Sequence, residues 1–189
     1  MDKELYKIAI ILLKKAYNQP QNSINSTQWS VYKTVYNKSP LIVLAIPGTN
    51  DLLDWFLNLL LLQKDGIKLG SFISSKRIIK SFIKEPNVPL LIVCHSKSGP
   101  TGIYLQELLH AKYCVAFEPA RGFIEEKENN NTVTFIDKDD CVPKVGWSRF
   151  KHRRTKIIYL PKDKKWYNII GKIKDHLLDH IEQFINRME

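Results

Sequence analysis

Cysteine is scarce in this sequence, and nothing in it resembles a metal or nucleotide motif. The 189 residues include three cysteines, Cys94, Cys114 and Cys141, whose spacing is not that of zinc ligands. An odd number of scattered cysteines argues against a disulfide framework and favours a reducing compartment. A glycine-rich phosphate-binding loop is also absent. We therefore expect no metal ion and no other cofactor.

Long apolar runs are absent too. Lysines flank the first apolar stretch, residues 8–13, and the second, residues 52–62, is interrupted by Asp54 and Asn58. Both are shorter than the roughly 20 residues that a membrane-spanning helix needs. Since no small-residue cleavage site follows the first stretch, we expect no secretory signal peptide and a cytoplasmic protein.

Positive charge is abundant. Lysine and arginine number 29 against 19 acidic residues, a net charge of +10. Anionic membrane surfaces and nucleic acid are the partners that such a charge attracts. The densest cluster, residues 151–156, comes without a helix-turn-helix, zinc-finger or RNP-type motif, which argues against nucleic acid. We expect these residues to form a solvated surface, with an anionic lipid interface as the next interpretation.

Apolar runs alternate with helical patterns along the whole chain. This alternation predicts one α/β domain over residues 1–189, with a mostly parallel central sheet and helices on both faces. The polar run at residues 125–131 is expected to be a solvated loop, and Asp175 is expected to cap the last helix. The predicted strands are 29–35, 41–46, 89–93, 113–117, 132–136 and 156–160, and the predicted helices are 3–17, 51–62, 71–84, 99–111 and about 175–184.

One segment, residues 90–102, predicts a buried strand, a tight turn and a helix with Ser96 at the apex. Such a turn lifts the serine hydroxyl clear of the sheet and directs the first helical N–H groups at an oxyanion above it. A serine that only caps a helix gives the same pattern. The elbow of serine hydrolases is G-x-S-x-G, and here Cys94 and Ser98 replace both glycines.

The order of several other polar residues along the chain is also informative. Thr49 comes in a turn after an early strand, Asp139 and Asp140 come after a later strand, and His176 and His180 belong to the last helix. An acid and then a histidine after the serine is the chain order of α/β-hydrolases. The residues themselves leave each pair of alternatives open.

Together these motifs resemble the class 3 (fungal-type) lipases of the α/β-hydrolase fold, over roughly residues 4–184. Lys97 stands where those lipases usually have leucine after the nucleophile, and Pro47 stands where they usually have an arginine or a similar residue. The similar segments are Gly48-Thr49, Asp54-Trp55 and Asn58-Leu59, the elbow at 94–99, the D-x-V-P acid motif at 140–143, the final helix with His176, and the opening helix that ends in Ala16-Tyr17.

The resemblance implies a catalytic triad of Ser96, Asp140 and His176. Its D-x-V-P motif selects that aspartate, and its final helix selects that histidine. It also implies an oxyanion hole made by the backbone N–H groups of Thr49 and Lys97, and hydrolysis of lipid or small acyl esters through an acyl-serine intermediate. The replaced elbow glycines leave an alternative, a catalytically silent hydrolase-fold protein that binds a partner or an anionic membrane.

Overall fold

The structure is a computed structural model that describes residues 1–48, 63–82, 85, 87–138, 142, 150–161 and 173–188, with only the backbone for 173–177. The helix predicted over 51–62 lies outside these residues. The helices are α1 (Lys3–Asn18), α2 (Leu69–Ser81), α3 (Gly99–Leu109) and α4 (Ile173–Arg187), with a 3₁₀ turn at Ser96–Ser98. The strands are β1 (Asn22–Ile24), β2 (Thr27–Tyr36), β3 (Ser39–Ile46), β4 (Gln63–Lys64), β5 (Ile67–Lys68), β6 (Leu90–His95), β7 (Tyr113–Phe117), β8 (Glu128–Asp137) and β9 (Arg154–Leu160).

Seven of these strands form one sheet in the order β1-β2-β3-β6-β7-β8-β9. The pairs from β3 to β9 are parallel, and β1, β2 and β3 pair antiparallel. The carboxyl ends of the parallel strands therefore meet at one edge of the sheet, where Ile46 of β3 lies beside Cys94 of β6. This arrangement confirms the predicted, mostly parallel sheet.

Alternate residues of the parallel strands pack on opposite faces of the sheet. Val43 and Val93 pack in one cluster with α1 and α4, and Leu44 and Ile92 pack in another cluster with α2 and α3. Each fully buried aliphatic side chain of this kind contributes about 1.5–3 kcal/mol. Helices thus cover both faces, because a parallel strand is apolar on both sides.

A tight hairpin joins β2 to β3. Asn37 and Lys38 have φ values of 50° and 62°, so Tyr36 pairs directly with Ser39. Two consecutive residues with positive φ are typical of a type I′ turn, whose twist suits antiparallel strands. The predicted hairpin is present, with a shorter turn and longer strands than the sequence indicated.

Two local predictions are wrong. The polar run at 125–131 is not wholly a loop, because β8 begins at Glu128 and Asn129 is buried. Asn129 Nδ2 donates to Gln106 Oε1 at 2.7 Å. This hydrogen bond allows the Asn129 side chain to be buried, although a polar composition predicts exposure to solvent. Asp175 does not cap the last helix, since α4 begins two residues earlier, at Ile173.

The basic cluster at 151–156 is also not uniformly solvated. Lys151, Arg154 and Lys156 are exposed as expected, but Arg153 is only 8% exposed. Its Nε and Nη2 donate to the two carboxylate oxygens of Glu107 at 2.8 and 3.1 Å. Its guanidinium carbon lies 4.1 Å from the centre of the Phe123 ring. A bidentate ion pair of this type fastens the residue just before β9 to α3.

No helix in the described part of the chain combines the length and the apolar character needed to cross a membrane.

Candidate active site

The elbow predicted from the sequence is present at the carboxyl end of β6. The strand ends at His95, the 3₁₀ turn Ser96–Ser98 follows at once, and α3 begins at Gly99. Ser96 is half-buried and has a φ of 54°. A left-handed backbone costs a residue other than glycine about 1–3 kcal/mol, so the surrounding structure must hold it in place. One such contact is the hydrogen bond from the Ala120 N–H to the Ser96 carbonyl, at 3.0 Å.

Close packing of α3 explains how Cys94 fits where an elbow glycine is usual. A Cβ atom on Gly102 of α3 would lie 2.5 Å from Cys94 Sγ, which is too close for any real side chain. At the start of the helix, a Cβ atom on Gly99 would lie 2.3 Å from Pro119 Cβ. Gly102 on the helix therefore permits the close contact between strand and helix. Cys94 occupies the space that a side chain on Gly102 would need.

Cys94 itself is not a plausible nucleophile. A hydrogen bond with the Cys114 thiol, together with complete burial, raises the pKa of Cys94 well above its usual range. The thiolate is the reactive form of cysteine, and a raised pKa disfavours it. Both cysteines are buried and free of disulfide bonds.

Ser98 replaces the second elbow glycine and makes a specific contact. Its Oγ donates to the Pro47 carbonyl at 2.7 Å. On the next residue, a Cβ atom at Gly48 would lie 3.2 Å from Ser96 Cβ and 3.3 Å from the His95 carbonyl oxygen. The segment after β3 thus lies directly against the elbow, and Gly48 permits that approach because it has no side chain.

Tyr17, at the end of α1, holds the same segment from the other side. Its Oη accepts the Gly48 N–H at 2.7 Å and lies 2.5 Å from His95 Nδ1. The Tyr17 and His95 rings also make an edge contact, with their centres 5.7 Å apart. Sequence reasoning missed this role of Tyr17, because the contact joins residues that are 31 and 78 positions apart.

Glu118 is a second residue that sequence reasoning missed. It follows β7 directly, is 0% exposed and has a φ of 44°. Its Oε1 accepts the Asp137 N–H at 2.5 Å, so a buried carboxylate ties the end of β8 to the end of β7. The only sequence signal was the acidic residue in Phe117-Glu118-Pro119, immediately after an apolar strand.

Of the predicted site residues, Ser96 and Lys97 are the two whose side chains the structure describes. Lys97 is half-buried and follows Ser96 in the 3₁₀ turn. Thr49 and Asp140 lie outside the described residues, and the same holds for the side chain of His176 on α4. His180 lies one turn further along α4, where its Nε2 is buried and makes no hydrogen bond with any described residue.

Metal-binding residues do not cluster in the described ranges, where no group of three or more His, Cys, Asp and Glu side chains could hold an ion.

The fold of this chain is similar to that of a solved structure. No protein-family model matches the sequence, and no curated protein sequence matches it either. Among solved structures, the chain is similar to the Lip2 lipase of Yarrowia lipolytica, with a TM-score of 0.51 over 86% of this chain and 81% of the lipase. The two sequences are 12% identical over this match, so the likeness concerns the fold alone. The chain has an α/β-hydrolase fold, as the sequence predicts.

Proposed function

We propose that this protein is a serine hydrolase that cleaves carboxylic esters, with Ser96 as the nucleophile. The observation that carries the proposal is the left-handed backbone of Ser96, with a φ of 54°, between a parallel strand and a helix. A serine that only caps a helix adopts an extended backbone and needs no such strain. Strain of this kind clusters at functional sites, and a sharp strained turn is what exposes the nucleophile of an α/β-hydrolase.

In the proposed reaction, Ser96 Oγ attacks the carbonyl carbon of the ester while His176 accepts its proton. The backbone N–H groups of Lys97 and Thr49 bind the oxyanion of the tetrahedral intermediate. The intermediate then expels the alcohol, which takes the proton from His176, and an acyl-serine remains. Water, activated by the same histidine, hydrolyses the acyl-serine and restores the enzyme. Asp140 orients the imidazole and stabilises its charged form.

The hydrogen bonds around Gly48 support Thr49 as the oxyanion donor. The Gly48 N–H is already donated to Tyr17 Oη, so it is directed away from a substrate. The next N–H along the chain is that of Thr49, and the Pro47–Gly48 segment before it is held against the elbow by the hydrogen bond from Ser98 to Pro47. Removing one oxyanion donor typically costs about 10²–10³ in rate, so the position of this segment matters greatly.

Contacts between α1 and α4 support His176 over His180 as the base. Lys3 Nζ donates to the Met188 carbonyl, and Lys14 pairs with both Asp179 and Glu182, so the two helices run antiparallel. Three residues on from Lys14 is Tyr17, which contacts His95 beside the nucleophile. Because the helices are antiparallel, the position on α4 that corresponds to Tyr17 lies three residues before Asp179. That residue is His176.

The position of β8 in the sheet supports Asp140 as the acid. This strand is two places from β6 in the sheet, and its carboxyl end lies at the same edge as the elbow. It ends at Asp137, three residues before Asp140. Glu118 holds that end in place through the Asp137 N–H. Lipid or small acyl esters are the proposed substrates, since the fold is similar to that of a lipase.

Replacing Ser96 tests the proposal directly. Wild-type protein should react with a fluorophosphonate probe and hydrolyse short-chain p-nitrophenyl esters, and Ser96→Ala should lose both activities. Ser23→Ala is the matched control, because Ser23 is exposed on β1 and should be replaceable without effect. A folded wild-type protein that resists the probe and is no faster than Ser96→Ala would contradict the hydrolase function and favour the silent scaffold.

The two histidines of α4 should differ sharply when each is replaced. His176→Ala should lower kcat by about 10²–10⁴, the usual contribution of a general base, while His180→Ala should change it little. In the wild type, kcat/KM should fall as the pH drops through the pKa of the base, because an imidazolium cannot accept the serine proton. A larger loss in His180→Ala than in His176→Ala would assign the base to His180.

Removing the Tyr17 hydroxyl should slow the reaction without weakening substrate binding. Tyr17→Phe leaves the Gly48 N–H without its acceptor, a loss of about 1–3 kcal/mol that corresponds to about 5- to 150-fold in rate. We expect kcat to fall and KM to stay unchanged, because the Pro47–Gly48 segment precedes the proposed oxyanion donor, which stabilises the transition state and not the bound substrate. Tyr32→Phe is the control, since the buried Tyr32 hydroxyl makes no hydrogen bond with the described residues. Equal kcat values for the two variants would remove Tyr17 from the site.

A further inference from the structure

A polar cavity lies beside the elbow, between α2, the turn from β1 to β2, and the start of α3. Its volume is about 150 Å³, and a cavity of about that size has held a molecule as large as benzene in another protein. Lys97 and Ser98, the two residues after Ser96, form part of its wall, so the cavity adjoins the elbow. The rest of the wall consists of Ile46, Gly70 and Ile73 and of the polar residues Ser26, Thr27, Ser71, Ser74, Arg77 and Thr101.

The wall carries positive charge and hydroxyl groups. Arg77 Nη1 donates to Thr27 Oγ1 at 3.2 Å, and that oxygen lies 3.0 Å from Ser74 Oγ. Arg77 forms no ion pair with any residue that the structure describes, and the described wall contains no aspartate or glutamate. A guanidinium has five N–H donors, so most of those on Arg77 remain available to a ligand.

Thr101 gives a second, independent indication. It lies in the first turn of α3 and lines the cavity, yet it is only 3% exposed. Its hydroxyl makes no hydrogen bond with any described residue, and its oxygen is not one of the described side-chain atoms that are fully shielded from solvent without a partner. A ligand oxygen in the cavity would provide the missing partner.

We propose that this cavity binds a phosphate group, carried by the ester on which Ser96 acts. The assignment of that phosphate to the substrate rests on the proposed hydrolase function. A phosphate presents several acceptor oxygens, which suit the fork of Arg77 and the hydroxyl of Thr101 at once. An acyl chain fits this wall poorly, because it would bury the guanidinium and the hydroxyls without replacing their hydrogen bonds to water.

Calorimetric titration with inorganic phosphate and with glycerol 3-phosphate tests the cavity without requiring turnover. Arg77→Gln should weaken binding about tenfold or more, because it removes a charge-assisted pair. Thr101→Val, which keeps the side-chain shape, should also weaken binding and remains informative if Arg77→Gln fails to fold. Lys80→Gln is the matched control, since it removes the same charge from an exposed position on α2 and should bind as the wild type does.

Failure of the site and failure of the proposed function are separable in this design. Ser96→Ala should bind phosphate as tightly as the wild type, so binding through Arg77 without ester turnover would uphold the site and reject the hydrolase. No binding by the wild type, or equal binding by wild type, Arg77→Gln and Lys80→Gln, would overturn the proposal. The second result would show attraction to the net charge of +10 alone.

Vesicles distinguish the two sources of the phosphate. If a lipid head group supplies it, binding to vesicles of equal parts phosphatidylcholine and phosphatidic acid should fall in Arg77→Gln and not in Lys80→Gln. If a soluble phosphomonoester supplies it, only the titration with glycerol 3-phosphate should respond to Arg77→Gln. Either result supports a phosphate site, and a response in neither assay contradicts it.

Discussion

Two hydrogen bonds hold the Pro47–Gly48 segment against the elbow, and the geometry of the candidate site depends on them. Ser98 Oγ donates to the Pro47 carbonyl, and Tyr17 Oη accepts the Gly48 N–H. The first bond comes from the elbow and the second from α1, so two separate elements determine one short segment. Stabilisation of an oxyanion requires donors that are already in position, because reorganisation during the reaction would cost what the donors contribute.

The altered elbow is consistent with this requirement. The departures from G-x-S-x-G at Cys94 and Ser98 first suggest a degraded site. In the structure, Cys94 occupies space that Gly102 leaves on the helix, and the hydroxyl of Ser98 fastens the neighbouring segment. Each replacement therefore has a partner elsewhere in the fold, and Ser96 retains the strained backbone that the proposed chemistry uses.

The sequence predicts the parts of the structure that depend on local patterns and misses those that depend on contacts between distant residues. The strand, turn and helix around Ser96 follow from local apolar patterns, and so does the parallel sheet. The first half of β8 was missed because Asn129 is buried through a contact with Gln106, 23 positions away in the chain. The contact of Tyr17 with the elbow and the ion pair of Arg153 were missed for the same reason, because tertiary partners of polar side chains leave no periodic signal.

Trapping the acyl-enzyme would identify the nucleophile directly. Protein that is turning over a slowly hydrolysed ester would be quenched in acid, digested, and its peptides weighed by mass spectrometry. The acyl group should be attached to the hydroxyl of Ser96 in the peptide that contains it, and it should disappear as turnover is completed. Product formation with no acylated peptide, or with the acyl group on another residue, would contradict Ser96 as the nucleophile.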